Sequence, residues 1–142
     1  MTAKEYLGQA YRLDQRINTK LQQIDNLRSL TQRVTASYDG EVVSHTRNVH
    51  SLQDAILHLM EAEEELNHQI DELVRTKVDI GATIEMVRNE SFRLILEKRY
   101  LCFLTWDQIA SDMNYSRRWV LNQHDKAVDV VAKILEEKAV SV

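Results

Sequence analysis

Residues 52–87 read LQDAILHLMEAEEELNHQIDELVRTKVDIGATIEMV, and the spacing of their aliphatic side chains sets the class of fold. With Leu52 at a d position of a heptad, the d set is Leu52, Leu59, Leu66, Leu73, Ile80 and Val87, and the a set is Ile56, Glu63, Ile70, Lys77 and Ile84. Nine of these eleven positions are aliphatic over five heptads, the pattern of a long helix with a coiled-coil seam. Ser51 followed by Asp54 signals its start, because both side chains can accept from the free N–H groups of a first turn. Gly81 costs such a helix about 1 kcal/mol relative to alanine, too little to break it. Glu63 and Lys77 interrupt the seam; long stems can cover it while their charges reach water, or the two can set register against a partner helix.

Upstream, Thr2 to Val34 carries a broader stripe: Leu7, Ala10, Ile17, Leu21 and Ile24, flanked by Leu13, Leu27, Leu30 and Val34, with Asp14 at one position where an apolar residue is expected. A helix of about 33 residues is about 50 Å long, matching the 52–87 helix and suggesting a hairpin. Residues 36–50, ASYDGEVVSHTRNVH, lack helical periodicity and contain the turn pair Asp39-Gly40, so they read as the connection. The pattern demands an apolar partner for each helix but does not say whether it comes from the same chain or a second copy.

Downstream the segments shorten. Asn89 is a good N-cap for a helix burying Phe92, Ile95, Leu96 and Tyr100. Thr105 and Gln108 have capping-box spacing before a helix whose inner face holds Ile109, Ala110 and Met113. Asn114 tolerates the left-handed conformation of a tight turn, and Ser116 can cap a last helix from Arg117 to about Lys138 that buries Val120, Ala127, Val130, Val131 and Ile134. Three helices with a tight second turn make a helix-turn-helix unit. The whole is expected to be all-α: a long, coiled-coil-like helical hairpin over residues 1–87 and a three-helix domain over 88–142.

Composition agrees. The 142 residues contain no proline and only three glycines, too little punctuation for a sheet-rich fold. The single cysteine, Cys102, excludes an intramolecular disulfide and suits a reducing compartment; near Tyr100 and Phe103 it reads as a small buried hydrophobe. No apolar run reaches the roughly 20 residues of a membrane span, and Lys4, Glu5, Arg12 and Asp14 interrupt any signal-peptide pattern, so a cytoplasmic protein with no membrane partner is expected. Residues 1–87 carry 9 basic and 14 acidic side chains, residues 88–142 carry 9 and 8, so any surface for a polyanion belongs to the C-terminal part.

The run Arg99-Tyr100, Leu104 to Ala110, Met113-Asn114-Tyr115-Ser116, Val120 and Ala127 resembles the helix-turn-helix of region four of sigma-70-type factors. With the opening Met1 to Leu7 and the heptad helix, nearly the whole chain resembles a family of short prophage proteins of Gram-positive bacteria, described as sigma-region-four-like or late-gene transcription regulators. The resemblance implies double-stranded DNA as a partner and contact with RNA polymerase. It implies sequence-specific regulation of phage or prophage genes in the cytoplasm of a bacterial host. The long helices are then expected to form a homodimer or to dock the protein on a partner. Promoter melting is not expected, because Tyr6, Tyr11 and Tyr38 are the only aromatic residues before Arg88.

Residue chemistry marks the site. The first turns of a recognition helix enter the major groove, placing Ser116, Arg117, Arg118, Asn122 and Lys126 near DNA. Arginine can pair with guanine through two hydrogen bonds and asparagine with adenine, so Arg117, Arg118 and Asn122 are the base readers. Lys126 and Arg99 are expected on phosphates, with Ser116 and the helix N-terminus offering backbone donors. Leu121 and Asp125 depart from the basic pattern of such helices, and Trp119 is expected to pack at the core edge.

Other chemistries have less behind them. His50, Asp54, His58, Glu61 and Glu65 form an exposed ridge without a dedicated ligand motif, so no metal and no cofactor are expected. No phosphate loop or nucleophile elbow occurs, and an enzyme is not expected. Two alternatives share the same architecture: a phage small terminase subunit, which acts in genome packaging, and an adaptor that binds RNA polymerase without DNA.

Overall fold

The structure, a computed structural model, describes residues 1–40 and 45–140, and the side chains of 34–49 lie outside the described set. Among the described residues every regular element is helical. They are α1 (Ala3–Leu7), α2 (Gln9–Gly40), α3 (His45–Glu85), α4 (Glu90–Leu96), a π-helical turn (Glu97–Leu101), α5 (Trp106–Met113) and α6 (Arg117–Val140). No helix is long and apolar enough to cross a membrane.

The long helices extend further than the sequence suggests. Residues 36–40 and 45–50, expected in the connection, are helical, and Ser51 lies inside α3 rather than at its start. Without proline nothing stops either helix early, and Asp39-Gly40, expected in the connection, lies among the helical residues of α2. The remainder of the expected connection, 41–44, lies outside the described residues.

The chain divides into two compact units, residues 14–72 and residues 1–13 with 73–142, so the division expected at 87/88 is corrected. Within the first unit, α2 and α3 pair antiparallel in one chain, with Lys20 Nζ 3.1 Å from Glu65 Oε2 and Arg28 Nη2 2.9 Å from Glu63 Oε1. The inward row of α2 is Ile17, Lys20, Ile24 and Leu27; that of α3 is Leu52, Ala55, Leu59, Ala62, Leu66 and Gln69. This α3 row uses the d and g positions. The a residues Ile56 and Ile70 remain 42% and 40% exposed, so the a/d seam is corrected to d/g there. Every d residue belongs to both seams, and only the small Ala55 and Ala62 distinguish them, by letting a neighbouring helix approach the g side.

The second unit is discontinuous in sequence. Thr2 and Glu5 form a capping box at α1, Glu5 N donating to Thr2 Oγ1 over 3.2 Å and Thr2 N to Glu5 Oε2 over 3.4 Å. The core joins Leu7 and Ala10 to Ile80 and Ile84 of the α3 end, Val87 just beyond it, Leu96, Tyr100, and Ala127, Val131 and Ile134 of α6. Tyr6 hydroxyl donates to Asp79 Oδ2 over 2.6 Å and lies 2.9 Å from Thr83 Oγ1, which also accepts from Lys138 Nζ over 2.8 Å. Burial, with the Asp79 carboxylate beside it, pushes the Tyr6 pKa up to about 12. Lys77, the second seam exception, places its ammonium 4.6 Å from the Phe103 ring centre.

Asn89 caps α4 as expected, its Oδ1 accepting from Phe92 N over 3.1 Å. The π-turn closes through Cys102 N to Glu97 O and Leu104 N to Lys98 O, both 3.0 Å, and Phe103 takes φ 58°. Cys102 is exposed, a correction to its expected burial: the turn that sends Phe103 inward sends the thiol to solvent.

Candidate nucleic-acid interface

The tight unit at α5 and α6 is built by local hydrogen bonds that the sequence announces. Thr105 Oγ1 accepts from Gln108 N over 3.2 Å, and Gln108 Oε1 accepts from Thr105 N over 2.8 Å, completing the capping box. Asn114 ends α5 at φ 59° and ψ 36°, and Tyr115 N donates to Ala110 O over 3.1 Å. Ser116 Oγ then accepts from Trp119 N over 3.1 Å and starts α6. Ile95, Ile109, Ala110 and Val120 form a core beneath the turn, with Leu104, Trp106, Met113 and Trp119 packed against it.

On α6 the buried row is Val120, His124, Ala127, Val131 and Ile134. At about 100° per residue the opposite face carries Arg118, Asn122 and Lys126, which follow one another at i, i+4 and i+8 and are all exposed. Asp125 and Asp129 stand exposed beside this row. Arg117 lies nearer the α5 side, its Nη1 3.8 Å from Asp107 Oδ1. Thus four of the six expected residues, Ser116, Arg118, Asn122 and Lys126, share the free start of α6, and Arg117 adjoins them.

Arg99 is placed otherwise. Its Nη1 donates to Leu104 O over 3.0 Å and its guanidinium carbon sits 4.4 Å from the Trp106 ring centre. This half-buried cation braces the entry to α5.

Two further features of α6 were missed by sequence reasoning. Tyr115 and Trp119 stack at 3.7 Å with 17° between planes; the i, i+4 spacing of two aromatics was the available signal. His124 is buried, its Nε2 2.5 Å from the Tyr100 hydroxyl and its ring edge-on to Trp106 at 4.6 Å. Burial lowers the His124 pKa from 6.5, opposed by Asp125, whose Oδ1 is 3.4 Å from Nδ1. Burial also raises Tyr100 to about 12. His124 continues the spacing 120, 124, 127, 131, 134, so periodicity alone could have found it.

A sequence profile of the family described as "Protein of unknown function (DUF1492)" matches residues 41–132, well over half of the chain. Comparisons with curated proteins and with solved structures find no match.

Proposed function

We propose that this chain, which belongs to the DUF1492 family, is a sequence-specific DNA-binding transcription regulator that reads the major groove of double-stranded DNA with the first turns of α6. The observation that carries this reading is the exposed row Arg118, Asn122 and Lys126 on a helix capped by Ser116 directly after a left-handed Asn114 turn. Arg118 suits guanine, Asn122 suits adenine, and Lys126 suits a phosphate further along the groove. Arg117 reaches DNA by exchanging Asp107 for a phosphate or base edge, an exposed pair that costs little to open. The resemblance to prophage sigma-region-four-like proteins extends the reading to phage or prophage genes and to RNA polymerase as a second partner, with the helical hairpin serving as the dimerisation or docking element.

The adjacent acids Asp125 and Asp129 favour a second reading, an adaptor that docks on protein, because they repel a phosphate backbone. Selection of duplexes from a random pool at near-physiological salt separates the two. The wild type is expected to enrich a motif that Arg118→Ala/Asn122→Ala erases, since each good two-bond base contact is worth ~1–3 kcal/mol. Absence of a motif, or one that survives the double substitution, overturns the DNA reading and leaves the adaptor.

A further inference from the structure

The second unit contains a cavity of about 380 Å³ that lies apart from the exposed row of α6. Its walls are aromatic and cationic: Lys4, Tyr11, Arg99, Tyr100, Phe103 and Trp106 line it, and no carboxylate does. That volume is within the range of small-molecule sites. Lys4 is exposed, and its ammonium has no protein partner among the described residues. Arg99 spends one N–H on Leu104 O and keeps its other donors, while its planar cation is held against Trp106. Tyr11 stands half-exposed, edge-on to Phe103 at 5.7 Å. The inner wall is fixed, because Tyr100 and Trp106 both press on the buried His124.

Two cations without a counter-charge select a ligand carrying about two negative charges, and a phosphate monoester supplies them with oxygens for both ammonium and guanidinium. The surrounding rings select a planar aromatic body, which gains by stacking on aromatic and guanidinium faces. We propose that this cavity is a binding site for a small phosphate monoester bearing an aromatic ring, of the chemical class of a nucleoside monophosphate. The site is separate from the DNA reading and stands whether or not α6 binds DNA.

The test uses the full chain without DNA. The protein has two tryptophans, so Trp119→Phe leaves Trp106, in the cavity wall, as the sole tryptophan, excited selectively over the tyrosines at the red edge of its absorption. Titration with each of the four common ribonucleoside monophosphates is expected to give saturable quenching with at least one. The matching nucleoside and inorganic phosphate should each bind at least about tenfold more weakly, as each lacks half of the recognised chemistry. Lys4→Gln and Tyr11→Ala, both at exposed positions, should weaken the best ligand by about the same factor with an unchanged circular-dichroism melt. Absence of saturable quenching with all four nucleotides, or equal binding by Lys4→Gln, overturns the proposal. If Tyr11→Ala alters the melt, Lys4→Gln alone decides.

Discussion

A buried imidazole at the centre of the α5–α6 unit makes stability depend on pH. In the unfolded chain His124 titrates near 6.5, whereas in the fold burial holds its pKa lower. Between those two values the unfolded chain holds more protons than the folded one. The stability from the neutral ring is therefore complete above 6.5 and is lost as pH falls towards the folded pKa. The slope attributable to His124 approaches at most ~1.4 kcal/mol per pH unit. Denaturant unfolding from pH 7.5 to 5 should show a shallower slope below 6.5 for His124→Gln than for the wild type; equal slopes would mean that the ring titrates as in water. Tyr100→Phe removes the one hydrogen bond to Nε2 and should cost ~1–3 kcal/mol at pH 7.5 by chemical denaturation. At this scale the exposure of Arg118, Asn122 and Lys126 was legible, because exposure on a helix follows from sequence spacing. The role of Arg99 was not, since its partners Leu104 O and Trp106 are set by a π-turn and a positive φ at Phe103 that no glycine announces.

Elements here are defined by their ends and by the face they bury, and the two were unequally readable. Caps are local: Asn89, Thr105 and Ser116 each occupy the expected N-terminus, because an N-cap needs only a side chain and an N–H two or three residues away, and Asn114 ends α5 through its own left-handed backbone. Asn114 at φ 59° predicts a clean contrast in thermal melts: Asn114→Gly should be close to neutral and Asn114→Ala should cost ~1 kcal/mol. The seam of α3 is not local, since a heptad pattern specifies d but leaves a and g to the partner helix. Because Ile70 is 40% exposed and Leu66 faces α2, Leu66→Ala should cost ~2 kcal/mol or more and Ile70→Ala under ~1 kcal/mol in urea unfolding. The reverse order would restore the a/d seam.

At the scale of the molecule, the unit that carries α6 is completed by the other end of the chain. Leu7 and Ala10 are fully buried in the core that also holds Ala3, Ile80, Ile84, Val87, Tyr100 and Val131, so a domain cut at residue 88 removes six of its buried side chains. Sequence could not reveal this, because Leu7 and Ala10 fit the stripe of the long first helix and nothing in their spacing says which partner covers them. Leu7→Ala, which opens a void at a fully buried site, should destabilise this unit by ~2–5 kcal/mol. The stronger form concerns the fragment 88–142. It retains the α5–α6 core of Ile95, Ile109, Ala110 and Val120 but bares Leu96, Tyr100, Ala127, Val131 and Ile134 to water. Exposing that much apolar surface exceeds the few kcal/mol that a chain of this size can spare, and the fragment should melt without a cooperative transition. Circular-dichroism melts of 88–142 beside the full chain decide it. A sharp, reversible transition in the fragment would mean that the helix-turn-helix unit stands on its own small core and that residues 1–13 contribute only coverage.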